Sequence, residues 1–269
     1  MQRKIVAIGG GHNGRINEDG IKAPYETGPM DLEIIRLTRK ERPNFLFLAH
    51  SQTDSESEKS YFETMKKIYG DMYGCSCRTI TRENLRNDKS IVLEYVDWAD
   101  IIYEGGGDTK SMMELWINTG FDKVLRNAWE NGKVMCGISA GGNCWFDSCS
   151  SDSLQIQLKD ETAPLITVEC LGFIEAFFTP HSDVATKYTN RLEYQKESLR
   201  EKDLVGLAIS NCAAIEIVDD EYRLITSDAL SYGIEAYGLK TYWKDDKYIE
   251  EYIDKSDEFK KVKDLLELK

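Results

Sequence analysis

Lys133-Val134-Met135-Cys136-Gly137-Ile138-Ser139-Ala140-Gly141-Gly142-Asn143 is the stretch on which the reading of this chain turns. Its apolar part, Val134 to Ile138, has the composition of a strand buried on both faces. The strand runs into Gly137-Ile138-Ser139-Ala140-Gly141, a G-x-S-x-G pattern. That pattern predicts a sharp strand-to-helix turn with Ser139 raised at its tip. Such a turn strains its central residue, and small neighbours keep the backbones from colliding. Alone, the pentapeptide also describes an ordinary glycine turn, so the surrounding sequence has to decide.

Upstream, strands and helices alternate. Lys4 to Ile8 predicts a first strand leading into Gly9-Gly10-Gly11-His12-Asn13-Gly14. This loop lacks the lysine of a P-loop and the G-x-G-x-x-G spacing, so it reads as a glycine-rich turn at a strand end. Helices are predicted over Pro29 to Lys40, Ser55 to Tyr69 and Lys89 to Trp98, with strands over Asn44 to Ala49 and Cys77 to Ile80. Ala99 to Tyr103 is a strand ending in Glu104-Gly105-Gly106-Gly107-Asp108-Thr109. Helices over Thr109 to Asn118 and Phe121 to Glu130 then lead to the elbow strand. The alternation predicts an α/β fold, a three-layer α/β/α sandwich around a mostly parallel central sheet. Three strand ends carry glycine loops. Ligands bind open α/β sheets at the carboxyl ends of strands, so the three loops predict one shared site.

After the elbow the rhythm changes. Asp147 to Lys159 is polar and serine-rich and predicts a loop. Phe173 to Phe178 is apolar and ends at Thr179-Pro180-His181-Ser182-Asp183. Lys187 to Arg200 predicts a charged helix. Strands follow at Val205 to Ile209, Ala213 to Val218, Tyr222 to Thr226 and Tyr237 to Trp243, and a charged helix at Asp254 to Lys269. No linker or repeat interrupts the chain, which predicts one domain over residues 1–269.

A net charge of −13 argues against nucleic acid as a partner. No stretch suits an export signal or a membrane span, so a cytoplasmic protein is expected. The seven cysteines are odd in number and form no C-x-x-C pair, which reads as reduced thiols. With only three histidines beside them, neither a zinc site nor another cofactor is expected.

A serine hydroxyl needs a base to act as a nucleophile. His12, His50 and His181 each follow a predicted strand; Pro180 stiffens the loop presenting His181, which makes it the candidate base, and the other two read as loop residues near the site. The base needs an orienting carboxylate. Asp147, Asp152, Asp160 and Asp183 are candidates, and Asp152 lies in a polar loop able to fold back over the elbow. Two amides must face the oxyanion. Ala140 supplies one by the geometry of the elbow, and Gly106 or Gly107 the other.

Taken together, Tyr103-Glu104-Gly105-Gly106-Gly107-Asp108-Thr109, Gly137-Ile138-Ser139-Ala140-Gly141 and Pro180-His181 resemble the peptidase E family of serine peptidases, to which cyanophycinase is related. The resemblance spans the chain from its first strand to about Val218. It implies a fold like that of class I glutamine amidotransferases, and a peptidase that removes N-terminal aspartate from dipeptides. It implies Ser139 as nucleophile, His181 as base, and an oxyanion hole of Ala140 with Gly106 or Gly107. The triad acid of peptidase E lies shortly after the serine, which points to Asp152. An alternative position in the family is a later G-[IL]-x-x-[DE]-[DE] stretch; here that reads Gly206-Leu207-Ala208-Ile209-Ser210-Asn211, without an acid, which favours Asp152. Arg191, on the predicted helix after His181, is the candidate cation for an aspartyl substrate. The expected partner is a small peptide, and the expected state a monomer or homodimer.

Other readings are a cyanophycinase-like exo- or isopeptidase, an α/β-hydrolase esterase, and a binding protein that has lost the reaction. Esterases of that fold place the histidine near the chain end, and this chain has none after His181. The intact Ser139 and His181 oppose the last reading.

Overall fold

A computed structural model describes residues 1–14 and 22–268. In chain order the elements are β1 (Lys4–Ile8), α1 (Gly28–Arg36), β2 (Asn44–Leu48), α2 (Ser55–Lys66), β3 (Ser76–Ile80), α3 (Arg82–Asn87), α4 (Lys89–Trp98), β4 (Ile101–Glu104), α5 (Thr109–Thr119), α6 (Phe121–Glu130), β5 (Val134–Ile138) and α7 (Ala140–Asn143). There follow β6 (Phe146–Ser151), α8 (Ser153–Leu158), β7 (Ile166–Glu169), β8 (Ile174–Thr179), α9 (Arg191–Ser198), β9 (Gly206–Ile209), β10 (Ala213–Val218), β11 (Glu221–Thr226), β12 (Gly238–Lys244), β13 (Lys247–Tyr252), β14 (Lys260–Lys261) and α10 (Val262–Leu266).

These strands form an eight-stranded sheet, β14-β11-β10-β1-β5-β4-β2-β3, and a six-stranded sheet, β13-β12-β9-β8-β6-β7. In the larger sheet β1, β5, β4, β2 and β3 run parallel. Strands β10, β11 and β14 extend it antiparallel. Side chains alternate across it with the strand period of two. Val6, Ile8, Phe45, Phe47, Tyr103 and Cys136 pack with Met30 and Ile34 of α1 and Tyr61 and Met65 of α2. Ile5, Ala7, Leu46, Leu48, Ile102 and Met135 face the other way, into a core shared with α4 to α6 and with Phe146, Phe178 and Leu207 of the second sheet. The α/β sandwich is therefore as expected. The mostly parallel sheet is its five-stranded centre, and the chain after the elbow builds mixed additions around it.

Register places the site. Ile8 pairs with Ile138 and Glu104 with Gly137, so the loops after β1, β4 and β5 emerge level with one another. The turn from β9 to β10 passes from the small sheet to the large one, and His181, after β8, donates its amide to the Gly9 carbonyl at 3.1 Å. The two sheets meet at these loops.

Helix α3 and strands β7 and β13 were not foreseen, and two further segments differ from expectation. Asp147 to Lys159 is not a loop: it contains most of β6 and all of α8. Its polar residues conceal the strand because their hydroxyls are paired inside. Ser150 donates to Thr179 Oγ1 at 3.2 Å, and the Ser151 and Ser153 hydroxyls lie 2.8 Å apart. At the C-terminus the helix is confined to Val262–Leu266; Leu265 is buried there, whereas Leu268 stays exposed. Val262 and Leu266 pack against the core beside Leu265, and beyond them few apolar contacts are left to sustain a longer helix.

Candidate active site

Ser139 stands at the tip of a strained elbow. Its backbone has φ 56° and ψ −113°, a conformation rarely open to an L-residue, and helix α7 begins at the next residue. The strain is held by pairing. Ser139 donates its amide to Ile8 at 3.0 Å, and its carbonyl accepts from Gly142 and Asn143 at 2.9 Å each. The elbow also presses on the end of β4. A Cβ at Gly141 would overlap the Glu104 carbonyl, so this position admits only glycine.

His181 Nε2 lies 2.9 Å from Ser139 Oγ. The other ring nitrogen, Nδ1, lies 2.7 Å from Oδ1 of Asn211. His181 also has a positive φ, 50°, and its carbonyl accepts from Val184 at 3.0 Å. Behind Asn211 stands Asp183, which accepts from the Asn211 amide nitrogen at 2.7 Å and from its side-chain Nδ2 at 3.1 and 3.0 Å. The loop after β1 makes room for this group. A Cβ on Gly10 would overlap both Asn211 Oδ1 and His181 Nδ1. The glycine-rich turn after β1 is thus a cradle for the His181–Asn211 pair.

Asp152 does not meet His181 Nδ1, the position expected of it as triad acid. Its carboxylate is ion-paired with Arg191 at 2.6 Å, and Asn211 occupies the place on the ring. A buried guanidinium needs a counter-charge, and Asp152 supplies it. Asn211 belongs to the stretch in which the family alternative places an acid. An amide oxygen accepts a hydrogen bond as a carboxylate does, so the absence of an acid there did not exclude the position. Asp183, close after His181 in sequence, reaches the ring through Asn211.

The amides beside Ser139 are arranged unequally. Gly106 lies against the serine: a Cβ placed on it would stand 3.3 Å from Ser139 Cβ. Its N–H donates to the Tyr61 hydroxyl at 3.3 Å, and its carbonyl accepts from Gln52 Nε2 at 2.6 Å. The amides of Gly107 and Ala140 have no hydrogen-bond partner among the described residues.

Electrostatics favour a neutral His181. Desolvation of the ring lowers its pKa, and the Arg191 cation lowers it further; the Asn211 hydrogen bond and the charges of Asp152 and Asp183 oppose them. Arg191 and Asp152 therefore lie within electrostatic reach of the ring. Arg191 is 8% exposed in its side chain, and Asp152 is its one hydrogen-bonding partner among the described residues.

The other two histidines are separate from this pair. His50 is fully buried under the site. Its Nδ1 accepts from Trp116 Nε1 at 2.9 Å and its Nε2 meets the Ile80 carbonyl at 2.8 Å, so the ring is neutral with its proton on Nε2. His12 is exposed and stacks on Tyr232, with centroids 5.7 Å apart. Trp145 and Phe146, after the elbow, are wholly buried core.

A strained serine elbow, an imidazole in hydrogen-bonding contact with its hydroxyl and the unpaired amide of Ala140 next to it define a serine-type hydrolase on an α/β sandwich. Comparison with known proteins narrows the class. The sequence profile of Peptidase family S51 matches residues 23–225, and the chain belongs to that family, which makes it a serine peptidase of the peptidase E kind. It is 28% identical over 236 residues to YgaJ, an uncharacterized peptidase of Bacillus subtilis (strain 168), covering 87% of this chain and 91% of that one. Its fold is similar to that of a peptidase from an acI-B1 Actinobacterium, with TM-score 0.66 and 18% identity over 96% of each chain. It is also similar to a protein provisionally named Peptidase E from Listeria monocytogenes EGD-e, with TM-score 0.58 and 16% identity over 85% of this chain and 100% of the other.

Proposed function

We propose that this peptidase hydrolyses small peptides, dipeptides with an N-terminal aspartate foremost, with Ser139 as nucleophile and His181 as general base. The observation that carries the reading is the 2.9 Å contact between His181 Nε2 and Ser139 Oγ at the strained elbow. The neutral imidazole takes the hydroxyl proton as Oγ attacks the scissile carbonyl. The amides of Ala140 and Gly107 receive the oxyanion, with Gly106 able to join once it releases Tyr61. Protonated His181 then gives its proton to the leaving amine. Water, deprotonated by the same ring, hydrolyses the acyl-enzyme and regenerates Ser139.

Substrate preference is read from Arg191 and Asp152. A buried guanidinium with free donors suits a carboxylate, and Asp152 beside it suits an α-ammonium group. An N-terminal aspartyl residue carries both. A dipeptide library assayed by released N-terminal residue tests this, with Ser139→Ala as control. The expected result is cleavage concentrated on Asp-Xaa and abolished in the control. Hydrolysis of nitrophenyl esters with no dipeptide cleaved would favour the esterase reading instead, and cleavage of β-linked aspartyl peptides alone would favour the cyanophycinase-like one.

A further inference from the structure

A histidine acting as base on Ser139 must carry its proton on Nδ1 and keep the Nε2 lone pair for the hydroxyl. Its partner at Nδ1 must therefore accept. Asparagine is an ambiguous partner, because one end of its amide accepts and the other donates. Rotated by half a turn, Asn211 would offer its NH₂ to Nδ1 and stabilise the tautomer that cannot take the serine proton. In a serine protease whose triad aspartate is replaced by asparagine, this wrong tautomer costs about 10⁴-fold in kcat.

We propose that Asp183 is the positioning residue that lets an amide do this work. It latches Asn211 in one orientation, and so holds His181 in the productive tautomer. The inference rests on the reading of Ser139 and His181 as nucleophile and base. Asp183 accepts from Asn211 at three contacts, two of them from Nδ2, at 3.1 and 3.0 Å. An ionised carboxylate only accepts. Rotation of the amide would set Asn211 Oδ1 against both carboxylate oxygens, acceptor against acceptor, while the NH₂ group lost its partner. The latch excludes that state.

The surroundings give Asn211 no second position. It is 1% exposed, and Gly10 leaves space for the pair without a side chain of its own. The Ser210 hydroxyl donates to the Asn211 carbonyl at 2.9 Å, and Cys212 donates its amide to Gly10 at 2.9 Å. His181 and Asp183 sit on one turn and grip Asn211 from the same side of the chain. The negative charge of the triad is thus one residue removed from the imidazole. It acts on the ring through an amide that it polarises and orients.

The test is an exchange of the two side chains. Asp183→Asn removes the latch and keeps the shape. The rate at which a fluorophosphonate labels Ser139 is expected to fall by about 10²-fold or more, as the wrong tautomer becomes populated. In the double variant Asn211→Asp, Asp183→Asn, a carboxylate meets Nδ1 directly, and the amide introduced at position 183 can donate to its second oxygen. That protein is expected to recover to within about 10-fold of wild type. Imidazole ¹⁵N shifts report the tautomer without needing catalysis: Nδ1–H in the wild type and the double variant, a mixture in Asp183→Asn. The inference is overturned if Asp183→Asn keeps the wild-type tautomer and labelling rate. It is equally overturned if the double variant, folded by its melting curve, is no better than that single change. Should Asp183→Asn fail to fold, the double variant decides on the same two readouts. A wild-type protein that shows the Nδ1–H tautomer yet leaves Ser139 unlabelled would count against the catalytic reading and for the latch.

Discussion

His181 Nδ1 and Asn211 Oδ1 lie 2.7 Å apart, with an amide oxygen where a serine hydrolase ordinarily sets a carboxylate. The partner that orients the His181 ring is therefore neutral. The nearest charges felt by the ring are the cation of Arg191 and the carboxylates of Asp152 and Asp183, none of them bonded to it. Each consequence of this arrangement can be measured.

The acid limb of activity should lie below the ordinary histidine range. Desolvation and Arg191 both lower the His181 pKa from 6.5, so the ring stays neutral, and able to act as base, to lower pH. The pH dependence of kcat/KM should show a midpoint under 6.5, moving upward in Arg191→Met. A midpoint at 7 or above would contradict the assigned electrostatics.

Asp152 and Asn211 should separate cleanly by mutation. Asp152→Asn keeps an acceptor for Arg191 and leaves the Ser139–His181 contact alone, so fluorophosphonate labelling should stay within about 10-fold of wild type. Asn211→Ala removes the ring's partner and should slow labelling by roughly 10²-fold or more. The reverse ranking would restore Asp152 as the orienting acid.

Gly10→Ala should damage the site more than the fold. The added methyl overlaps His181 and Asn211 together, and relief requires one of them to move. Overpacking of this kind costs about 1–3 kcal/mol of stability. Activity should fall at least about 10²-fold, since small displacements of catalytic groups are costly. A fully active, folded Gly10→Ala protein would show that the cradle is not needed.

Acidification should destabilise the protein through His50. Burial pushes its pKa down to about 3, whereas in the unfolded chain it titrates near 6.5. Below pH 6.5 the unfolded state takes up a proton that the folded state refuses, so stability from this group is lost as pH falls. By pH 5 the loss is about 2 kcal/mol. Asp31, pushed up to about 6, and Glu216, pushed up to about 7, act in the opposite sense, because the folded state binds their protons first. Comparison with His50→Gln removes these shared contributions. Urea unfolding at pH 7 and pH 5 should show a steeper loss in wild type than in the variant, and parallel losses would remove His50 as the cause.

Much of the chemistry was legible because it is local. Strain at Ser139 demands small neighbours in adjacent positions, and Gly137, Ala140 and Gly141 stand in the sequence to be read. The glycines after β1 and β4 were equally visible, although only the fold explains them: Gly10 faces His181 and Asn211. Strand β6 was hidden because its serines, polar by type, are buried and paired with Thr179 and Ser153.

By itself the sequence determined the α/β alternation and the elbow and singled out Ser139 and His181 as candidates, since each of these follows from residues within a few positions of one another. The partner of His181 was decided only by the tertiary structure. Asn211 lies 30 residues further along, on a turn that crosses between the sheets, and Asp152 meets Arg191 across 39 residues. Which polar group reaches a ring nitrogen depends on where strands place it, and an amide latched by a neighbouring carboxylate can stand where residue type alone would call for an acid.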